Sequence, residues 1–86
     1  MTSYSVEWTP EAENDLAALW NAASDRTAIT AASNWLDAHL ARDPLNFGEP
    51  WTSSVHRIAV RDPIGIEFEV IEDDKRVIVH GVFAIG

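Results

Sequence analysis

The sequence contains no cysteine and has few basic residues. Without cysteine, disulfides, thiolate metal sites and a cysteine nucleophile are all excluded, and the composition is typical of proteins that work in a reducing cytoplasm. Only six lysines and arginines stand against fourteen acidic residues, which gives a formal net charge of −8. Proteins that bind nucleic acid usually carry a basic face that neutralises phosphates. Nucleic acid is therefore not expected as a partner.

Long hydrophobic runs are also missing. No segment approaches the roughly 18 apolar residues that a membrane-spanning helix needs, and the first residues carry neither the basic start nor the apolar stretch of an export signal. We therefore expect a cytoplasmic protein without membrane contact. The 86 residues, of which 47% are hydrophobic, are enough for one modest core. A single domain over residues 1–86 is the expected organisation.

A strand and two helices are predicted in the first half of the chain. Residues 4–8 alternate between apolar and polar, which predicts a short strand. Thr9 and Pro10 are typical of a helix start, the first as N-cap and the second at the first helical position. The pair Ser24-Asp25 interrupts this helix and offers a second N-cap. Pro44 ends the second helix, because the residue before a proline resists the helical region.

Three strands are predicted in the last third of the chain, at residues 55–61, 64–71 and 76–83. The short join between the helices predicts an antiparallel hairpin, and the order of elements is βααβββ. We therefore expect an α+β fold in which an antiparallel sheet carries the helix hairpin on one face. The expected anchors of the irregular stretch before the strands are Leu45, Phe47 and Trp51.

The register of the strands decides which side chains face away from the helices, because a slip of one residue turns every side chain to the other face. If His56, Ile58 and Val60 face the core and a three-residue turn follows, the two arginines of this strand face the other way. In the second hairpin, Glu67 is expected opposite His80. The open face is then predicted to carry Arg57, Arg61, Glu67, Glu69, Ile71, Ile78, His80 and Val82.

These polar residues allow two interpretations. In the first, Glu67 or His80 is a general base while Arg57 and Arg61 hold a phosphate or carboxylate, which makes these four the candidate catalytic residues. In the second, Arg57 pairs with Glu69 and Glu67 with His80 on a solvated face, each pair contributing roughly 0.2–1 kcal/mol. The three histidines have no metal-ligand spacing and the glycines form no phosphate loop, so neither a metal nor a cofactor is expected.

Several segments, taken in order, resemble the RelE/ParE toxin superfamily. They are Tyr4 to Ala12 with Asp15-Leu16, Leu40 to Pro44 with Gly48, His56-Arg57-Ile58, Ile66 to Val70, and Val77 to Val79. The resemblance covers nearly the whole chain and implies a RelE/ParE-like fold. Members of the superfamily are bacterial toxins that a cognate antitoxin holds inactive. The RelE-like branch cuts mRNA on the ribosome, and the ParE-like branch poisons DNA gyrase.

Two departures from the superfamily concern its RNA-cutting branch. Arg57 matches the arginine before the central hairpin, but Ile64-Gly65 stands where the next strand often begins with an arginine, and Ala84-Ile85-Gly86 stands where cutters carry a basic residue. The resemblance therefore implies a toxin-like component of a plasmid-stabilisation type toxin–antitoxin pair that acts by protein binding, with DNA gyrase favoured as target and enzymatic activity disfavoured. A degenerate, non-toxic binding protein and a ribosome-dependent mRNA endoribonuclease are the alternatives.

A cognate antitoxin is the partner that the resemblance implies. Its expected contact surface is the open sheet face, where three aliphatic residues form an apolar strip beside charged groups. An extended or helical segment would bury this strip and offer a carboxylate to an arginine beside it. The predicted partner-binding residues are Arg57, Arg61, Glu69, Ile71, Ile78 and Val82.

Overall fold

Residues 3–85 are described by a computed structural model of the protein, which contains two α-helices and a five-stranded sheet. The elements run in the order β1 (Ser5–Trp8), α1 (Pro10–Ala22), α2 (Arg26–Arg42), a 3-10 turn (Pro44–Asn46), β2 (Glu49–Pro50), β3 (His56–Arg61), β4 (Ile64–Ile71) and β5 (Arg76–Ala84). The predicted α+β architecture and the order of its main elements are confirmed. Within the described residues, no helix is long and apolar enough to cross a membrane.

The sheet is mixed, with the strand order β1-β5-β4-β3-β2. The expectation of an antiparallel sheet is wrong for one strand, since β1 runs parallel to β5. The helix hairpin returns the chain to the end of the sheet where β1 begins, and there the Tyr4 N–H donates to the Ala41 carbonyl (2.8 Å). The strand β3 begins at that same end, and β3, β4 and β5 then alternate in direction. The first and last of them therefore run in the direction of β1.

Both helices begin where the sequence predicts, and they cover one face of the sheet. Thr9 Oγ1 accepts a hydrogen bond from the Ala12 N–H (3.1 Å), and Asp25 Oδ1 accepts one from the Ala28 N–H (3.1 Å). Caps of this kind contribute about 1 kcal/mol each. The helices bury the apolar stripe Ala12, Ile29, Ala32, Leu36 and Leu40. The sheet meets it with Ile64, Ile66, Phe68, Val70, Val77 and Val79. The predicted packing of the hairpin on the sheet is confirmed.

The register of β3 differs from the prediction by one residue. Its turn to β4 contains two residues rather than three, so Arg61 lies opposite Ile64 and Arg57 lies opposite Phe68. Because a one-residue change reverses the parity of the whole strand, every side chain of β3 lies on the face opposite to the predicted one. Arg57 and Arg61 are on the helix side, and His56 is on the open side.

A bulge in β5 changes the second half of the last hairpin. Up to Glu69 the pairing agrees with the prediction, but Glu67 lies opposite Gly81 because His80 is the extra residue of the bulge. The extra residue also reverses the parity of the strand beyond it. Val82 therefore faces the helices, where it is buried in the core, and its predicted place on the open face is wrong.

Two of the three predicted anchors hold down the segment between α2 and β3. Leu45 and Phe47 are partly buried against the core, whereas Trp51 is 55% exposed. Gly48 has a φ of +70°, and a Cβ at this position would lie 2.3 Å from the Ile58 carbonyl oxygen. The path of this loop therefore requires a glycine at position 48.

Gly48→Ala is expected to lower the free energy of unfolding by at least about 2 kcal/mol, because a left-handed alanine is strained and its Cβ overlaps a backbone atom that cannot rotate away. Gly81→Ala is the matched control, since a Cβ there would meet only side-chain carboxylates, at 3.3 Å and 3.8 Å. Urea unfolding followed by tryptophan fluorescence measures both variants. Equal loss of stability in the two variants would contradict this account of the loop.

Candidate functional site

The open face of the sheet carries two histidine–glutamate pairs. His80 Nε2 lies 3.0 Å from Glu69 Oε1 with the geometry of a hydrogen bond, in which the ring nitrogen donates to the carboxylate. His56 Nε2 lies 3.3 Å from Glu67 Oε2. The two imidazole rings meet edge to face with their centroids 6.1 Å apart. The four side chains are between 27% and 43% exposed, so the cluster is accessible to a partner.

The imidazole of His56 is tied to the loop but not fully satisfied. Its Nδ1 lies 2.8 Å from the hydroxyl oxygen of Thr52. The separation of Nε2 from the Glu67 carboxylate is short enough for an ion pair, but the alignment is too poor for a hydrogen bond. Nε2 is buried and has no hydrogen-bond partner among residues 3–85. One hydrogen-bonding atom of the cluster is therefore unused.

Arg57, predicted to hold an anion on the open face, is buried on the helix side. Its guanidinium donates to three main-chain carbonyls: Phe47 O from Nε (2.9 Å), Ser54 O from Nη1 (3.0 Å) and Gly48 O from Nη2 (3.1 Å). The predicted cross-strand pair with Glu69 is wrong, because the reversed parity of β3 places His56 opposite that glutamate. Arg57 instead fastens the loop to β3.

Arg61, the second predicted anion-holding residue, also lies on the helix side. Its guanidinium lies over the ring of Trp35 on α2, with Cζ 4.4 Å from the ring centroid. Arg76, at the start of β5, is on the open side, but it is paired with the carboxylate of Glu7. The hydrogen bond that the Arg76 guanidinium donates to the Glu7 carboxylate is the main cause of its raised pKa. The cluster thus has acid–base groups without a free arginine aimed at them.

The structure brings Glu67 and His80 of the predicted catalytic set into one cluster and removes the two arginines from it. His56 replaces them, although the sequence pattern predicted it in the core. The dipeptide Asp62-Pro63 is the signal that could have located it, because a complete two-residue turn gives the observed parity. Within the described residues, no group of three histidine, aspartate or glutamate side chains is placed to hold a metal ion.

Apolar side chains surround the cluster on the open face. Ile71 and Ile78 lie there half-buried, as predicted. Val60 (55% exposed) and Phe83 (38% exposed) extend the apolar surface toward the other end of the sheet. The Phe83 ring covers Gly65 so closely that a Cβ there would lie 2.4 Å from Cζ. Gly65 is therefore covered by an aromatic ring, which closes this part of the open face.

The chain matches no protein-family model and no curated protein sequence. Solved structures do match it. With a chain of the RelBE2 toxin–antitoxin complex from Mycobacterium tuberculosis it shares 22% sequence identity and a TM-score of 0.81, over 99% of this chain and 94% of that chain. With a chain of the ParDE toxin–antitoxin system from P. aeruginosa the identity is 16% and the TM-score 0.66, over 96% of this chain and 97% of that chain. With the conserved hypothetical protein HP0892 from Helicobacter pylori they are 10% and 0.59, over 94% and 93%.

These similarities confirm the fold that the sequence predicted. The alignments extend over nearly the whole of both chains, so this chain has the RelE/ParE-type fold. At sequence identities between 10% and 22%, the similarity establishes the backbone fold but not the chemistry of the side chains. What the open face can bind or catalyse must therefore be argued from its own residues.

Arg57→Met is expected to destabilise the fold by roughly 2–4 kcal/mol, because three carbonyls lose a charged donor and the loop loses its attachment to β3. Arg61→Met is the matched control on the same face of the same strand, where an exposed stacked guanidinium should contribute less than about 1 kcal/mol. Thermal unfolding by circular dichroism measures both. If the two variants unfold at the same temperature, Arg57 does not have this structural role.

Proposed function

We propose that this protein is the toxin-like component of a type II toxin–antitoxin pair of the plasmid-stabilisation type, which works in the cytoplasm through protein contacts and is bound by a cognate antitoxin. The observation that carries the proposal is the fold. Of this chain, 99% aligns with 94% of a chain from the RelBE2 toxin–antitoxin complex, with a TM-score of 0.81. The similarity to the ParDE system supports the same role.

The open sheet face is the antitoxin-binding surface in this proposal. It combines half-exposed aliphatic side chains, among them Ile71 and Ile78, with the polar histidine–glutamate cluster. Apolar surface rimmed by polar groups commonly marks a protein-binding site. Trp51, whose ring centroid lies 5.5 Å from that of His56, adds an exposed aromatic ring beside the cluster, and Phe83 adds a second one farther along the face. Buried aromatic anchors of this kind supply much of the binding energy at interfaces.

The charges of the open face favour a partner segment with basic residues. The sequence pattern predicted a partner carboxylate on Arg57 or Arg61, but both arginines lie on the helix side. The face instead offers the carboxylates of Glu67 and Glu69, each beside an imidazole. A lysine or arginine of the antitoxin complements them in charge and can donate to their free oxygen lone pairs.

A protein target such as DNA gyrase is favoured over RNA on the ribosome. Phosphoryl transfer without a metal needs donors aimed at the developing charge, and the loss of one such donor typically costs on the order of 10²–10³-fold in rate. The carbonyl contacts of Arg57 and the ion pair of Arg76 leave neither guanidinium free for a phosphate. The net charge of −8 further repels a polyanion. A degenerate, non-toxic protein that keeps only the binding face is the alternative.

One observation favours a ribosome-dependent mRNA endoribonuclease as a second candidate. His56 and His80 lie with two carboxylates in a single cluster, and such groups can act as general base and general acid. We expect no detectable mRNA cleavage in a translation extract. Specific cuts that His80→Gln abolishes, in a variant that stays folded, would establish this candidate in place of a protein-binding toxin.

Induced expression of this protein is expected to arrest bacterial growth, and co-expression of a small antitoxin-like frame adjacent to its gene is expected to restore growth. Gyrase poisoning is checked by the accumulation of cleaved DNA in a supercoiling reaction with purified gyrase. Growth arrest without cleaved DNA would remove gyrase as the target. Tight binding of the neighbouring gene product without growth arrest would favour the degenerate binding protein.

Ile78→Lys is expected to weaken antitoxin binding at least about 100-fold, because it removes apolar contact area and places an ammonium group between Glu7 and Glu69, where it repels a basic partner segment. Ile78 faces away from the core, so the isolated variant should stay folded. Ala18→Lys, which adds the same charge on the exposed side of α1, is the control and should bind normally. Calorimetric titration measures both. The reverse result would place the binding surface on the helices.

A further inference from the structure

A column of aromatic and basic side chains lies on the helix side of the sheet, apart from the open face. Trp35 and His39 of α2 stack with their ring centroids 3.7 Å apart and an angle of 26° between the rings. The Arg61 guanidinium lies over the Trp35 ring, and Arg42 Nη2 lies 3.1 Å from His39 Nε2. Arg61, Trp35, His39 and Arg42 thus form one continuous series of contacts, which we call the stacked column.

Hydrogen bonds hold the imidazole of the stacked column in one orientation. His39 Nδ1 lies 2.9 Å from the Trp35 carbonyl oxygen, which can only accept, so Nδ1 donates. His39 Nε2 then accepts from the guanidinium of Arg42. Trp35 and His39, which lie between the two arginines, are therefore fixed by contacts within the column. A partner would meet a surface that is already ordered, which lowers the entropic cost of binding.

Neither arginine of the stacked column has a carboxylate partner. Across residues 3–85, no carboxylate oxygen lies within ion-pair distance of Arg42 or Arg61, although the chain has fourteen acidic residues. Asp43, next to Arg42 in the chain, accepts instead from Asn46 Nδ2 (3.2 Å to each carboxylate oxygen). Both arginines are exposed. An acidic protein thus presents two unpaired guanidinium groups on one patch.

Stacking leaves a guanidinium able to bind an anion. Contact with an aromatic face uses the π-system of the guanidinium, while its N–H groups point outward in the plane. The donors of Arg61 therefore remain at the rim of the Trp35 ring. Arg42 uses one N–H on His39 and keeps the others. The planar fork of N–H groups matches the two oxygens of a carboxylate.

We propose that the stacked column is a second binding site, which receives a carboxylate-bearing segment of a protein, with one carboxylate on Arg61 and one on Arg42. The site goes beyond the proposed antitoxin interface, because it lies on the other side of the sheet and selects the opposite charge. A nucleic acid also offers anions, but its phosphates continue along the strand into the field of a protein with net charge −8. A short acidic segment of a protein places its negative charge only at the patch and does not extend over the rest of the acidic surface.

The test monitors the indole N–H resonance of Trp35, assigned through Trp35→Phe, in the nitrogen-15-labelled full chain. A short peptide of alternating glutamate and serine is expected to shift this resonance, and added salt should weaken the effect. The same peptide with glutamine in place of glutamate should leave the resonance unchanged. Arg61→Gln and Arg42→Gln are each expected to weaken peptide binding about tenfold, as befits the loss of one charge-assisted hydrogen-bonding group.

Arg26→Gln is the matched control. Arg26 also lies over a tryptophan ring, with Cζ 4.6 Å from the Trp20 centroid. Its Nε and Nη2 already donate to the carbonyls of Trp20 (3.1 Å) and Asn21 (3.3 Å), so this variant should bind the peptide normally. The proposal is overturned if the glutamate peptide leaves Trp35 unshifted, or if Arg26→Gln weakens binding as much as Arg61→Gln. It is also overturned if oligo-thymidine shifts Trp35 at a lower concentration than the peptide, since the surface then binds nucleic acid.

Discussion

The burial of Arg57 is the constraint on which both faces of the sheet depend. A guanidinium stays charged in a protein and must find acceptors when it leaves water. On the helix side the acceptors are the carbonyls of Phe47, Gly48 and Ser54, so the loop that carries them is drawn against β3. The same loop contains β2, which pairs with β3 in the antiparallel direction. With Arg57 facing inward, the adjacent side chain, His56, faces outward to the glutamates of β4.

The parts of the fold that depend on local chemistry could be predicted from the sequence. Thr9 and Asp25 cap their helices because the side-chain oxygen of each satisfies a free N–H of the first turn. The strand β4 alternates so regularly that one face is apolar along its length, which settles its relation to the helices. The alternation of β5 did not predict the bulge at His80, although the isolated Gly81 beside it is the kind of residue that marks a bulge within a strand. It is the bulge that directs His80 to Glu69 rather than Glu67.

Hydrophobic alternation gave the wrong face for β3 because the energies that decide this strand are not those of apolar burial alone. His56, Ile58 and Val60 are together more apolar than Arg57, Ala59 and Arg61. Burying a valine or isoleucine contributes about 1.5–3 kcal/mol, but Ile58 is half-buried on the open face and loses only part of this. Hydrogen bonds of a charged group contribute about 1.5–3 kcal/mol each, and Arg57 makes three. These contacts offset the cost of taking the guanidinium out of water, an effect that apolar alternation does not reflect, and Val60 stays exposed.

The reversed register of β3 places the two arginines of this strand on the helix side rather than on the open face. Had the arginines faced outward, they would lie beside His80 and the two glutamates, and the open face would contain the cations that a phosphate requires. Because both face the helices, Arg57 donates its hydrogen bonds to the loop and Arg61 stacks on Trp35 of α2. The open face keeps its carboxylates and imidazoles, and its arginine, Arg76, is paired with Glu7. The helix side gains a guanidinium, that of Arg61, which no carboxylate of the described chain neutralises. The one-residue difference that removes the donors for phosphate chemistry from one face therefore supplies the anion-binding group of the other.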